Sequence, residues 1–312
     1  MITGHYYHRY QVRENWGTPA TGTCPVKDCH EMVIDARGRI FLLTNDTANN
    51  ILIYNKDGNI LGYWGQEYPG AHGLTIHDEN GTQRLYICDI ERHQVIKTDL
   101  NGRVLLVIGY PEEAGVYRQA AEFLPTESAV APNGDIYITD GYGLQYVIQY
   151  DSRGNYIRHW GGRGHQEDQF DCAHGITIDT RKGGSSLLIT SRNHNAFKRF
   201  TLDGQYRETI YLPGSFVCRP VIKEQFLYAA VFRSGSNTFF GSGYITILDV
   251  NDRVVSTPGG SLPVYRNGKL EPQYKEEAVF IHPHDVCVDE NENVYVCQWN
   301  SGQTYPILLE RV

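Results

Sequence analysis

Three histidines of the chain recur in one setting. They stand in Ala71-His72-Gly73-Leu74-Thr75-Ile76, in Ala173-His174-Gly175-Ile176-Thr177-Ile178 and in Pro283-His284-Asp285-Val286-Cys287-Val288. Each opens a strand-like run. A neutral imidazole carries a lone pair at ordinary pH and is the commonest metal ligand. Three imidazoles on one point, with a fourth position open, form the ligand set of a catalytic zinc ion. The separations along the chain, 102 and 110 residues, mean nothing by themselves. An architecture has to bring the three together.

That architecture is a repeat. Short β-branched and aromatic runs fill the chain, among them Ile40-Phe41-Leu42-Leu43, Asp135-Ile136-Tyr137-Ile138 and Asn293-Val294-Tyr295-Val296. Such runs, bounded by Gly, Asn and Asp, read as strands. A second run follows in most units, then a turn such as Lys56-Asp57-Gly58-Asn59 or Leu202-Asp203-Gly204, and two units close on Trp-Gly at Trp64-Gly65 and Trp160-Gly161. Aligned on His30, His72, Glu127, His174, Arg219 and His284, the unit is about 40–45 residues long with insertions. Six four-stranded antiparallel units arranged radially make an all-β, six-bladed β-propeller. The reading is one domain over 1–312. The last unit runs out after three strands, and residues 8–17, ending in Trp16-Gly17, supply its fourth, which hides two sheet edges at once.

The repeat places His72, His174 and His284 at the entry to the innermost strands of blades 2, 4 and 6, facing one axis. A single histidine in that slot is explained by a hydrogen bond to the next blade; three in alternate blades call for a shared ligand. His30 stands in the blade 1 slot as an extra ligand or a substrate contact. The second strand of a blade returns to the same mouth. Its ends bring Asp140-Gly141-Tyr142-Gly143, Thr190-Ser191-Arg192-Asn193, Arg233 and Gln298-Trp299 to the rim. A tyrosine beside a dication and an arginine has its phenolate favoured, so Tyr142 is expected to fall from a pKa of about 10 towards a usable base.

Composition narrows the classes. Hydrophobic residues make up 41% and aromatic residues 12% of the 312, too much apolar content for disorder. The formal charge of −8, without a Lys/Arg block, excludes a nucleic-acid partner. No apolar run approaches the roughly 18 residues that cross a bilayer, so no membrane partner is expected. The first ten residues lack the apolar stretch of a secretory signal. Seven scattered cysteines without a Cys-x-x-Cys pair fit a reducing compartment, and the expected location is the cytoplasm.

The segment from Phe123 through Glu127 and Asp140-Gly141-Tyr142-Gly143 to Trp160-Gly161 resembles the peptidyl-α-hydroxyglycine α-amidating lyases. So do the three histidine settings and Ser191-Arg192-Asn193. That family is a six-bladed propeller of the NHL-repeat group. The resemblance implies zinc held by His72, His174 and His284, with Tyr142 and Arg192 as catalytic residues. It also implies a structural calcium held through Asp285 and the carbonyl of Leu74. The implied reaction cleaves a peptidyl carbinolamide into a peptide amide and glyoxylate. Two positions depart from the family. His30-Glu31 stands where the first blade of the family supplies an arginine, a charge that Arg219 is expected to provide instead. His282 replaces an apolar methionine.

Three functions follow as expectations. The first is a zinc-dependent lyase acting on a small-molecule or short-peptide carbinolamide, with Tyr142, Arg192 and Arg219 catalytic and His30, Arg233 and His282 contacting substrate. The second keeps the zinc and acts as a lyase, epimerase or hydrolase on a hydroxy-carbonyl sugar or sugar acid. The third is a non-catalytic NHL-type propeller that binds a peptide or protein at a metal-free mouth.

Overall fold

A computed structural model describes residues 1–19, 24–235 and 240–312. Its strands form six antiparallel blades. Blade 1 is built from Cys29–Ile34, Ile40–Thr44, Ile51–Tyr54 and Ile60–Trp64. Blade 2 follows with Ala71–Glu79, Thr82–Asp89, Gln94–Thr98 and Val104–Ile108, and blade 3 with Glu127–Val130, Ile136–Thr139, Tyr146–Tyr150 and Tyr156–Gly161. In blade 4, Ile176–Asp179 leads into Ser186–Ser191, Ala196–Phe200 and Tyr206–Tyr211. The inner strand of blade 5 is split into Ser215–Val217 and Val221–Lys223, both paired with Phe226–Ser234, before Tyr244–Leu248 and Val254–Ser256. Blade 6 takes Pro283–Val288, Val294–Gln298 and Ile307–Arg311 from the end of the chain and His8–Arg13 from its start, with Tyr10 opposite Arg311.

The middle strands lie between two neighbouring blades, so both of their faces are dry. Ile40–Thr44 is buried throughout, whereas the outer strand Ile60–Trp64 alternates between half-buried and exposed. Ile40, Leu42 and Leu52 pack towards Tyr295 and Cys287 of blade 6, while Phe41, Leu43 and Ile51 pack towards Leu74, Leu85 and Ile87 of blade 2. Each such side chain contributes about 1.5–3 kcal/mol of burial, and the contact repeats around the ring.

The recurring turns have a recurring chemistry. Asp35, Asp151 and Asp289 each accept from the backbone N–H groups two and four residues later, the local bonding that makes Asp a turn former. The tryptophans explain the turn glycines. Trp64 covers Gly102 and Trp160 covers Gly204, each glycine at φ +87°, where an added Cβ would come within 2.6 and 2.7 Å of the indole. Each indole therefore seats the outer turn of the next blade. Trp16 does the same from the chain start, donating from Nε1 to the Lys56 carbonyl at 2.8 Å.

Two features were not read from the sequence. Ile2–His5 forms a fifth strand outside His8–Arg13, and the His5 N–H donates to Ser256 Oγ at 2.8 Å, tying blade 6 to the edge of blade 5. The second is a shift of register. In blades 1, 2 and 6 the pairing skips one residue, between Cys29 and Glu31, Ala71 and Gly73, and Pro283 and Asp285. The skipped residues are His30, His72 and His284. A β-bulge re-aims the extra residue, and here it aims the imidazole at the axis. The equivalent positions of blades 3 and 5 are Thr126 and Cys218, one residue before Glu127 and Arg219. Two rings result: His30, His72, Thr126, His174, Cys218 and His284 at the mouth, then Glu31, Gly73, Glu127, Gly175, Arg219 and Asp285 beneath.

Candidate metal centre

The rings of the three repeat histidines converge, although among the described residues neither group of donor atoms close enough to share one metal ion contains all three. Their ring centroids are 4.8 Å (His72 to His174), 5.1 Å (His72 to His284) and 4.9 Å (His174 to His284) apart. His30 joins them at 4.9 Å from His72 and 5.0 Å from His284, so it is a fourth member of the cluster. The donor atoms of His30, His72 and His284 lie within 4.8 Å of one another, and a second group within that limit joins His174, Cys218 and His284.

Hydrogen bonds fix which nitrogen faces inward. His72 Nδ1 donates to the Thr126 carbonyl and His284 Nδ1 to the His30 carbonyl, both at 2.8 Å. A ring that donates from Nδ1 turns its Nε2 lone pair to the other side, which at His72 faces the Tyr142 hydroxyl. Neither nitrogen of His174 has a protein partner, and His30 Nδ1 has none either. Buried polar atoms normally find partners, so these orphaned nitrogens fit a bound cation. Burial holds all four rings below the ordinary histidine pKa, His30 down to about 3, with the positive neighbour Arg192 adding to the effect. The rings are neutral and their lone pairs available.

A pH dependence follows for the metal-free protein. The unfolded chain takes up these protons near pH 6.5, while the folded chain resists them to much lower pH. Stability is therefore full above about 6.5 and is lost as pH falls below it, by up to ~1.4 kcal/mol per pH unit for each ring. Urea unfolding at pH 7.5 and 5.5 should show the loss; a flat profile across that interval would contradict the neutral cluster.

Beside the cluster lies a cavity of about 360 Å³ lined by Tyr142, Arg192, Arg233, Phe232, Trp299 and His284, among others. Tyr142 is held by a loop wound around Asp140. That carboxylate accepts from the N–H groups of Leu124 (2.7 Å) and Leu144 (2.6 Å) and from the Tyr117 hydroxyl (2.8 Å), while burial raises its pKa to about 6. A Cβ on Gly141 would come within 2.3 Å of the Ala173 carbonyl, and one on Gly143 within 2.1 Å of Asp140 Oδ1, so Asp-Gly-Tyr-Gly is required by the loop itself. Tyr142 Oη ends 3.1 Å from His72 Nε2. Its protein surroundings act against the pKa expected from the sequence: burial raises the phenol, and the Arg192 guanidinium opposes without prevailing. A phenolate here requires a further cation.

Arg192 leaves the end of its strand in a short 3₁₀ turn, Arg192–His194. Its guanidinium lies over the Phe232 ring at 5.1 Å and donates from Nη2 to Cys218 Sγ at 2.9 Å. Burial pushes the Cys218 thiol up to about 11 against the pull of Arg192, so it remains protonated at neutral pH. Arg233 also reaches the cavity, over Phe232 at 4.9 Å and Phe240 at 5.2 Å.

Four expected residues are placed differently. His282 does not face the cavity: Nδ1 is bonded to the Asn300 carbonyl and Nε2 accepts from the Gly241 N–H, both at 3.0 Å, so it packs behind Phe232. Arg219 lies in the lower ring, beneath the histidines, and lines a different cavity of about 560 Å³ at the far end of the channel. Its donors go to Asp285 and to the carbonyls of Leu74 and Met32. Asp285 and Leu74 thus already hold a cation, and the arrangement does not fit calcium. Sequence reasoning missed Cys218, hidden by the one-residue register shift, and Arg163, which enters the cavity from the loop after Trp160-Gly161.

No protein-family model matches the chain. Peptidyl-alpha-hydroxyglycine alpha-amidating lyase 1 of Drosophila melanogaster is 23% identical over 267 residues, which cover 78% of this chain and 45% of that protein. The chain resembles the peptidyl-α-hydroxyglycine α-amidating lyases. NHL repeat-containing protein 3 of Homo sapiens is 28% identical over 190 residues, 52% of this chain and 55% of its own length. The chain thus spans about half the length of these curated relatives. Among solved structures, a streptogramin B lyase superposes with a TM-score of 0.60 at 12% identity, over 92% of this chain and 95% of that one; at that identity the likeness concerns the propeller fold. No helix among the described residues is long and apolar enough to cross a membrane, and all seven cysteines are free.

Proposed function

We propose that this propeller is a zinc-dependent lyase that breaks the C–N bond of an N-acyl-α-hydroxyglycine, the carbinolamide on which the amidating lyases act. The observation that carries the reading is the cluster of neutral, partly orphaned imidazoles at the edge of a cavity whose wall holds both Tyr142 and Arg192. His72, His174 and His284 would hold the zinc, with His30 beside them. Zinc, when bound, supplies a Lewis acid that acidifies a nearby hydroxyl and favours a phenolate.

The protein groups do the rest. Tyr142 Oη takes the proton of the substrate's hydroxyl, and the O–H electron pair becomes the new C=O bond. The C–N bond breaks, its electron pair leaves with the amide nitrogen, and that nitrogen recovers the proton from Tyr142. The products are a primary amide and glyoxylate, so atoms and charge balance. Arg192 and Arg233 face the same cavity and offset the substrate carboxylate. Phe232 and Trp299 supply an apolar wall for the acyl side.

A second reading keeps the centre and exchanges the substrate for a hydroxy-carbonyl sugar or sugar acid. It is favoured by one observation: His30 fills the cluster where the resemblance implies an arginine. Incubation of the zinc-loaded protein with an N-benzoyl-α-hydroxyglycine and with a sugar-acid panel separates the two. Glyoxylate release from the first is the expected result. Turnover of a sugar acid without glyoxylate release would replace the first reading with the second.

A further inference from the structure

Below the histidines the channel carries a second ring with its own chemistry. Glu31, Glu127 and Asp285 are fully buried there and converge on Arg219. The guanidinium donates from Nε to Asp285 Oδ1 at 3.1 Å and from Nη2 to Asp285 Oδ2 at 2.6 Å. It also reaches the Met32 carbonyl at 3.0 Å and the Leu74 carbonyl at 3.2 Å. Glu31 and Glu127 stand 3.7 and 3.6 Å from Nε.

The acceptors are themselves tied to the inner strands. Asp285 Oδ2 accepts from the Met32 N–H at 2.9 Å, Glu31 Oε2 from the Leu74 N–H at 2.6 Å and Glu127 Oε1 from the Ser128 N–H at 2.7 Å. Blade 4 supplies space: a Cβ on Gly175 would come within 2.5 Å of Arg219 Cα. Every blade therefore takes part. Carboxylates and backbone carbonyls are the acceptor types that hold calcium, and here one guanidinium takes them.

We infer that Arg219 is a built-in cation that pins its own blade to blades 1, 2, 3 and 6 at the axis, making closure of this propeller independent of calcium. A guanidinium remains charged at any working pH and, being covalent, cannot be diluted or chelated away. One positive charge does not balance three carboxylates. Glu31 Oε1 and Glu127 Oε2 have no other hydrogen-bond partner among the described residues, so the acceptors outnumber the donors of the single guanidinium.

The test is thermal unfolding of the full chain, stripped of metal and then titrated with calcium chloride alone. Wild-type Tm should not move, and equilibrium dialysis should find no calcium bound. Arg219→Ala removes the pin and should lower Tm by roughly 5–10 °C, the scale for breaking a buried pair in a domain this large. Calcium should restore part of that loss, because the carboxylates and carbonyls are then open to a dication. One calcium per wild-type chain with a rise in Tm would overturn the inference, as would an Arg219→Ala protein as stable as wild type. If the variant does not fold, the wild-type titration decides by itself. None of these readouts depends on zinc or on activity.

Discussion

Tyr142→Phe should retain its fold and its zinc and lose about 10²–10⁴-fold of glyoxylate-forming turnover, the usual contribution of a positioned proton acceptor. The substitution removes one oxygen. The ring remains edge-on to His72 and His174, with centroids 5.0 and 5.7 Å away, and the loop around Asp140 does not use the phenol. Arg192 and Arg233 are untouched, so KM should change far less than kcat. A variant with unchanged kcat would remove Tyr142 from the proton transfer; one with a raised KM and intact kcat would make it a binding residue.

The propeller was legible because it is written six times. Dry middle strands such as Ile40–Thr44 and Asp-led turns recur from blade to blade, Trp-Gly closes three of the blades, and each has a local physical cause. The meeting of His72, His174 and His284 was legible through the same repeat. What stayed hidden depended on single residues. A β-bulge adds one residue, and a slip of one sends a side chain to the opposite face. That slip turned Cys218 into Arg219 and Thr126 into Glu127 in the expected upper ring. His30, expected in the same slot as an extra ligand or a substrate contact, joins the cluster because its blade carries the bulge too.

One expectation failed for an energetic reason that a sequence does not display. Arg219 was expected to face substrate, but three buried acids and two carbonyls in the ring beneath compete for it and win. Tyr142 was expected to titrate low beside a dication and Arg192, and Arg192 alone attracts the phenolate too weakly. The loss of water around the phenol outweighs that attraction, so the burden of making a base falls on whatever the histidines hold. His282 looked like a pocket residue from its place beside His284. Both of its nitrogens are used by the backbone of the loops behind it.

The largest effect should come from the double substitution His72→Ala and His174→Ala. These residues come from blades 2 and 4, and removing both leaves His284 and His30 on adjacent blades, too few to form the three-ligand set. Activity should fall below detection. Folding should survive, because the two rings lie at the axis against one another, His284 and Tyr142, and the His174 truncation removes two nitrogens that lack a partner. The measurement that bears most directly on the centre is metal content by plasma mass spectrometry, on the wild-type protein and this double variant side by side. About one zinc per wild-type chain, absent from the folded variant, is the predicted result. No bound transition metal in the wild type, even after zinc is added back, would contradict the zinc centre and the lyase built upon it.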